Sequence, residues 1–405
     1  MSSDTSLMRM GLITVQTEPD MFSGGRPAKF EQVLDAADAS VTITTDVAKI
    51  KVWVDALSNV IFVKCNSTDG KLLEKLHVHV QSVRPPTNTS AGQPDVLASN
   101  AAVNVITISR RNEDSDPAGV SEGFNTTLKT EGMASLLDQL QPSDRWRHRS
   151  SGLSLSGTGD EKPLRPVNKS TLVSSDASSS FTVVISAHAN QTDSSDEFQR
   201  QLSLQHATHR ADSDRVHAHA TWWSAFWQKS HIAVSSSSST NLEYINRQYS
   251  LTRYVQAIQA RDTHWVPIKF NGMQFSTNLG RSRPNGPDSR GWGANSWWQN
   301  TRLPYGNMLA SGDVHVHANI LEFFLQMTNF SLARTKLYFN HTGIFYTETK
   351  TLFGSYALRD YGYRKPYVNR SITKTPVAIE GNPFIRFDYG GDGGTTEMAL
   401  MVLDM

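Results

Sequence analysis

The stretch Thr221–Val234 reads T-W-W-S-A-F-W-Q-K-S-H-I-A-V, and the chain changes character across it. Before it, short runs alternate with a period of two. Ser40–Asp46 is S-V-T-I-T-T-D, Ile50–Leu57 is I-K-V-W-V-D-A-L, and Val60–Cys65 is V-I-F-V-K-C. Lys75–Val83 and Ser180–Ala187 follow the same rule. β-Branched residues in alternation, punctuated by Asn, Asp, Gly and Pro, mark half-buried strands. Many such runs without helical periodicity between them predict an N-terminal β-sandwich. Arg84–Asp95 is expected as a loop. So is Gln141–Ser180, which is dominated by Ser, Gly, Lys and Arg and reads as either a surface insertion or a partly disordered stretch.

After the Trp-rich stretch the period becomes helical. Thr240 and Glu243 have capping-box spacing, and Leu242, Ile245, Tyr249, Tyr254 and Ile258 recur on one face. This predicts a helix over 240–261. Further helices are expected over 313–328 and 331–340, the first capped by Asp313 and the second closed by Gly343. A last helix begins at Thr395 or Thr396 and includes Glu397, Leu400, Met401 and Leu403. It is still running at Met405, so the chain is expected to be cut short. The class is therefore β + α multidomain: a sandwich over 1–220, a Trp-rich linker and helix over 221–262, and a helical region over 263–405.

The bulk numbers exclude several function classes. Lys and Arg total 39, Asp and Glu 38, for a formal net charge of +1. A nucleic-acid partner would call for a concentrated basic surface, and a polybasic membrane anchor for a basic cluster; neither is expected. No run of about 18 apolar residues exists that would cross a membrane, and the N-terminus lacks the parts of a signal peptide. Asn-X-Ser/Thr sequons, beginning at Asn66 and ending at Asn369, nonetheless allow a secreted, glycosylated protein. Cys65 is the single cysteine, and in its Val/Ile/Phe-rich run it reads as a buried small hydrophobe.

The chemistry-bearing segment is Val266–Asp313. Trp292, Trp297, Trp298 and Tyr305 sit there among Asn295, Gln299, Asn300, Arg302, Asn307 and Asp313. Aromatic faces stack on the apolar faces of sugar rings, while amides, guanidinium and carboxylate groups hold hydroxyls. A Trp-rich domain interface with satisfied polar groups is the equal alternative from composition alone. Glu348 follows Gly343 and is flanked by Phe345, Tyr346 and Phe353. It is the best candidate for a sugar-facing carboxylate, against a plain loop carboxylate. Asp313 is a helix cap or a substrate ligand. Glu397, in a first helical turn, either favours the helix dipole or belongs to the site. His77/His79, His217/His219 and His315/His317 form His-X-His pairs, but a zinc site needs a third and usually a fourth ligand. No metal is expected. The run Gly390–Gly394 lacks the Lys-Ser/Thr that finishes a phosphate loop, and no cofactor is expected.

Three segments, W-W-S-A-F-W-Q-K-S-H-I, P-I-K-F-N-G-M-Q-F and W-W-Q-N-T-R-L-P-Y, together resemble six-hairpin glycosidases. They are similar to the α-L-fucosidase family, glycoside hydrolase family 95, and closer to a sister family of unknown function with the same two-domain plan. The resemblance spans roughly residue 10 to the end. It implies that the helical region is the first part of an incomplete (α/α)6 barrel, that the sandwich lacks its first strands, and that the substrate is an oligosaccharide or polysaccharide. In the fucosidases an Asn-X-Asn pair helps to activate the attacking water. Asn300 aligns with the second Asn, while the first falls on Trp298, a departure that bears on fucose specificity. The resemblance thus implies a glycoside hydrolase-like protein, with Asn300 and Glu348 as catalytic candidates. Trp292, Trp297, Trp298, Arg302, Tyr305, Asp313 and Glu397 are the substrate-binding candidates. The general acid of the fucosidases would lie past Met405, so this piece is expected to be inactive alone. A non-catalytic carbohydrate-binding protein is the other reading.

Overall fold

A computed structural model describes residues 9–22, 27–68, 70–83, 94–113, 123–160, 162–209, 214–235, 241–260, 266–268, 296–346, 349–355 and 393–403. The first half is built of strands β1 (Leu12–Glu18), β2 (Phe30–Asp35), β3 (Ser40–Thr45), β4 (Ala48–Val54), β5 (Val60–Ser67), β6 (Lys75–Gln81), β7 (Val96–Asn100) and β8 (Val105–Arg111). Two short helices follow, α1 (Phe124–Thr130) and α2 (Leu137–Leu140), then β9 (Arg149–Gly159), β10 (Lys162–Pro163), β11 (Arg165–Asn168), β12 (Thr171–Val173) and β13 (Ser180–Gln191).

These strands form two antiparallel sheets. The smaller has the order β1-β6-β12-β11. The larger runs β2-β3-β4-β5-β13-β9-β8-β7, with β10 beside β9. The alternation read from the sequence is what buries one face of each. Val78, Val80, Ile106, Ile108, Leu155, Val183 and Ile185 meet between the sheets as one apolar core, with the expected strands at the expected places. Cys65 lies in this core, 1% exposed. Desolvation pushes its thiol up to about 11, so it stays protonated and packs as a small hydrophobe.

The expected loop over 141–180 is instead mostly sheet. β9 is an eleven-residue strand between β13 and β8. Its Ser and Gly residues are small because neighbours press on them. A Cβ at Gly159 would lie 2.3 Å from the Phe181 ring, and one at Gly152 would lie 3.0 Å from Phe198 and 3.1 Å from Leu202. Those last two residues belong to α3 (Ser195–His209), a helix inside the region read as wholly β. The helix packs on the outer face of the large sheet, where the His188 ring also stacks on Phe198.

The remaining elements are α4 (Asp214–Lys229), α5 (Asn241–Gln259), β14 (Ser296–Trp297), α6 (Trp298–Thr301), α7 (Gly306–Ser311), α8 (Val314–Gln326), α9 (Thr328–Phe339), β15 (Thr349–Lys350) and α10 (Gly393–Leu403). The Trp-rich stretch is the body of α4. Trp223 and Phe226 are buried against Ala56 and Ala257. His219 fixes the helix to two hairpin turns of the large sheet: its Nδ1 accepts from the Ala56 N–H at 3.0 Å and its Nε2–H donates to the Asp38 carbonyl at 2.7 Å. The Trp227 indole N–H donates to the Ala36 carbonyl at 2.9 Å. The helix at 331–340 is closed by Asn340 in a left-handed conformation (φ 47°), with Gly343 beyond it in the following loop. Asn tolerates this conformation better than other side chains with a Cβ.

A second contact crosses the chain. Phe124, Leu128, Met133, Leu140 and Trp146 pack against Phe330 and Ala333 of α9 and against Phe353. Beneath them Arg334 pairs with Glu131 at 3.5 Å, both side chains fully buried. The Tyr338 hydroxyl donates to the Glu131 carbonyl at 2.6 Å.

Candidate functional site

Polar groups concentrate where α5, α6, α8, β15 and α10 meet. Arg253 of α5 is fully buried, and its guanidinium holds Asp313 through two bonds, Nε–Oδ2 at 2.9 Å and Nη2–Oδ1 at 2.8 Å. It also donates to the carbonyls of Phe226 and Ser230 at the end of α4, and lies 4.3 Å over the Phe226 ring. Gly312 (φ 71°) turns the chain between α7 and α8 and so aims Asp313 at Arg253. Asp313 occupies the N-cap position of α8 as expected, but its side chain does not cap. Both oxygens are taken by Arg253, and Oδ2 also accepts from the Ser311 hydroxyl at 2.5 Å. Asp313 thus sits in a helix junction, 2% exposed.

Tyr305 is also buried. Its hydroxyl accepts from the Ile268 N–H at 2.7 Å and donates to Asn319 Oδ1 at 2.6 Å. Asn319 Nδ2 donates to the Val266 carbonyl at 2.8 Å. The two side chains pin the start of the P-I-K-F segment onto α8. Burial drives the Tyr305 phenol far up from its ordinary range, so it remains a neutral donor. His317, one turn into α8, is fully buried edge-on to the Tyr305 ring at 5.7 Å, with neither ring nitrogen hydrogen-bonded. Desolvation lowers its pKa, so it is held neutral.

The open part of this region centres on Glu397 of α10. Its Oε2 accepts from the Trp298 indole N–H at 3.0 Å and its Oε1 from Arg302 Nη1 at 2.5 Å. Trp298 is buried edge-on against Phe324, with the Lys350 ammonium 4.9 Å over the Phe324 ring. Arg302 and Glu397 keep 33% and 38% of their side-chain surface exposed, in contrast to Arg253 and Asp313. Asn300, on the same short helix as Trp298, is half-buried. Trp297 pairs with Thr349 in the β14–β15 ladder. Trp292 and Glu348 lie outside the described residues.

Of the sequence candidates, Trp298, Arg302 and Glu397 touch one another, although 99 residues separate the first from the last. Asn300 adjoins them through α6. Tyr305 and Asp313 form separate buried contacts. Arg253 and Asn319 are not singled out by the sequence, and His317 is singled out there only as half of a His-X-His pair. Arg253 lies on the apolar face of its helix beside Tyr254 and Ala257, and a cation at such a position is the signal that an anion waits opposite. Asn319 inside an apolar helix is a similar signal. The strand histidines have partners: His77 bonds Glu18 at 2.8 Å and His79 bonds Thr171 at 3.0 Å. Among the described residues no helix is long and apolar enough to cross a membrane.

A family model described as a domain of unknown function (DUF5703), its N-terminal part, matches residues 1–232. No curated protein matches. Among solved structures, the chain is similar to "Putative kojibiose phosphorylase from human microbiome", with 12% identity and a TM-score of 0.48. The match covers 81% of this chain and 38% of that one, so the chain spans well under half the length of that structure.

Proposed function

This chain belongs to the DUF5703 family, and from that premise we propose that it is a carbohydrate-active protein of the glycoside-hydrolase type, holding an oligosaccharide or polysaccharide through Asn300, Arg302 and Glu397. One observation carries the reading. A carboxylate and a guanidinium lie half-exposed together, the carboxylate held in place by the indole of the buried Trp298. Such a set offers acceptors and donors at fixed spacing to sugar hydroxyls, and an exposed pair can exchange its internal bond for two bonds to a ligand. Trp298 supports Glu397 here and does not itself present a ring face. The resemblance to six-hairpin glycosidases agrees, since it aligns Asn300 with a water-orienting residue.

Hydrolysis of a glycosidic bond generally needs two carboxyl groups, one to protonate the leaving oxygen and one to activate water or attack. In this reading Glu348 contributes one of them and Asn300 orients the water. The helical region is then the first part of an (α/α)6 barrel. A second reading, a non-catalytic carbohydrate-binding protein, has its own support. Among the described residues the open cluster holds one carboxylate, Glu397, while Asp313 is occupied by Arg253.

Calorimetric titration with neutral oligosaccharides, together with turnover of an aryl-glycoside panel, separates these readings. Binding that weakens about tenfold or more in Glu397→Gln and Arg302→Ala is expected. Turnover lost in Glu348→Gln supports the hydrolase. Any turnover excludes the second reading, and no binding at all sinks both.

A further inference from the structure

An open sheet edge is a template for another strand, and native edges are blunted by shortness, Pro, bulges or cover. Of the four strands that end the two large sheets, three are blunted or anchored. β11 has four residues, with Pro166 and a break in register among them. β7 has five residues and runs beside β11 of the other sheet. β1 turns Ile13 and Val15 onto the core. β2, the outer strand of the large sheet, has none of these protections. Its six residues, F-E-Q-V-L-D, include neither Pro nor Gly, and all six are exposed. Phe30, Val33 and Leu34 keep 42%, 46% and 47% of their surface, and the Phe22 ring lies 6.4 Å from that of Phe30.

The sequence of this strand is complementary to itself. Outward-pointing N–H and C=O groups belong to every second residue, so an antiparallel pair of identical strands must be centred on a residue. Three such registers pair most of β2. Centred on Glu31, two carboxylates oppose each other. Centred on Val33, Glu31 opposes Asp35 twice. Centred on Gln32, Lys29 lies opposite Asp35 at both ends, Phe30 lies opposite Leu34, and Gln32 meets its own copy. That register alone sets no like charges against each other, and it adds two opposite-charge pairs. Two facing amides can each donate and accept. Lys29 and Asp35 are both exposed, and the Asp35 Oδ1 accepts from the Ala37 N–H at 2.9 Å, which fixes the carboxylate at the end of the strand.

We propose that β2 is the docking edge for a second copy of this chain, giving a two-fold dimer whose large sheets join through an antiparallel β2–β2 pair centred on Gln32. Side chains alternate across a strand, so Phe30 and Leu34 of both copies gather on one face of the new ladder and the Lys29–Asp35 pairs form on the other. The contact is isologous. It uses the free edge of each copy and stops at two. A strand pair of this length is a small interface, so the dimer exchanges with monomer. No residue of the Glu397 cluster takes part, and the proposal does not rest on the function assigned to that cluster.

The test is sedimentation velocity of the full chain over a concentration series. The sedimenting mass should rise from 44.9 kDa towards twice that value. Lys29→Glu turns both end pairs into like-charge pairs and should weaken the dimer about tenfold or more, and adding Asp35→Lys should restore it. Asp35→Lys also removes the bond to Ala37, so a thiol gives an independent reading. Gln32→Cys sets the new thiol opposite its own copy, at a Cα separation of about 4.5–5.5 Å that suits a disulfide. Mild oxidation should then link the dimer, since the native thiol of Cys65 is buried. Glu31→Cys and Val33→Cys should link poorly alone and well when mixed. A chain that stays monomeric throughout the series overturns the proposal. So does a dimer that Lys29→Glu leaves untouched and Gln32→Cys does not link. Linking of Glu31→Cys alone as readily as Gln32→Cys overturns the register, and species that grow beyond two overturn the closed two-fold contact.

Discussion

Two arginine–carboxylate pairs lie in the helical half and do different work. Arg253–Asp313 has side-chain exposures of 0% and 3%, two parallel bonds, and further bonds to backbone carbonyls. Arg302–Glu397 is one-third exposed and shares its carboxylate with an indole. The first holds three helix ends in register and has no capacity left for a ligand. The second is held by fewer partners and faces solvent, so it can rearrange around one. Residue type alone does not separate the two; burial and the number of committed bonds do.

The largest expected effect breaks the buried pair. Asp313→Ala leaves the Arg253 guanidinium uncompensated in the interior, and urea unfolding should show a loss of about 3–5 kcal/mol. A loss under about 1 kcal/mol would place this pair in the same class as the exposed one.

A smaller effect concerns His317, which is buried beside Tyr305 one turn from Asp313. Its folded pKa lies below the unfolded value of 6.5. The unfolded chain therefore takes up a proton first as pH falls. The stability this neutral histidine confers is complete above pH 6.5 and declines below it, at about 1.4 kcal/mol for each unit of depression. Tyr305, which faces it, stays neutral throughout, and Asp313 is held by Arg253. His317→Leu should flatten the stability profile below about pH 6.5. An unchanged profile would show that the buried junction is not what makes the fold acid-sensitive.

The smallest effects belong to the exposed pair. Glu397→Gln should change stability by less than about 1 kcal/mol, and a double-mutant cycle of Arg302→Met with Glu397→Gln should give a coupling of about 0.2–1 kcal/mol that shrinks in salt. A coupling of several kcal/mol would mean that this pair, too, is structural.

Much of the sheet half was legible because Ile50–Val54, Val60–Cys65 and Ser180–Ala187 advertise their buried faces by size and branching. β9 was not legible. Its sequence is small for reasons that lie on other elements, in Phe181 above Gly159 and in Phe198 and Leu202 above Gly152. α3 escaped for the matching reason. Its fifteen residues are mostly polar, with Phe198 and Leu202 as buried anchors, and those anchors acquire meaning only against the glycine they cover. At the candidate site the residue types were visible in the chain, but their partners were not. Sixty residues separate Arg253 from Asp313, and 95 separate Arg302 from Glu397. Pairing at such distances follows from how helices pack, which local periodicity does not encode.

The seam between Glu131 and Tyr338 has a consequence for the order in which this protein is made. The two residues are 207 positions apart. A ribosome adding about 5–20 residues per second delivers the second some 10–40 s after the first. For that interval Phe124, Leu128 and Met133 have been synthesised while the helix that covers them has not. The strands can pair during elongation, whereas this excursion between β8 and β9 stays uncovered until α9 has emerged. A nascent chain stalled before residue 330 should therefore present an apolar surface that holdase chaperones recognise, and one released after residue 353 should not.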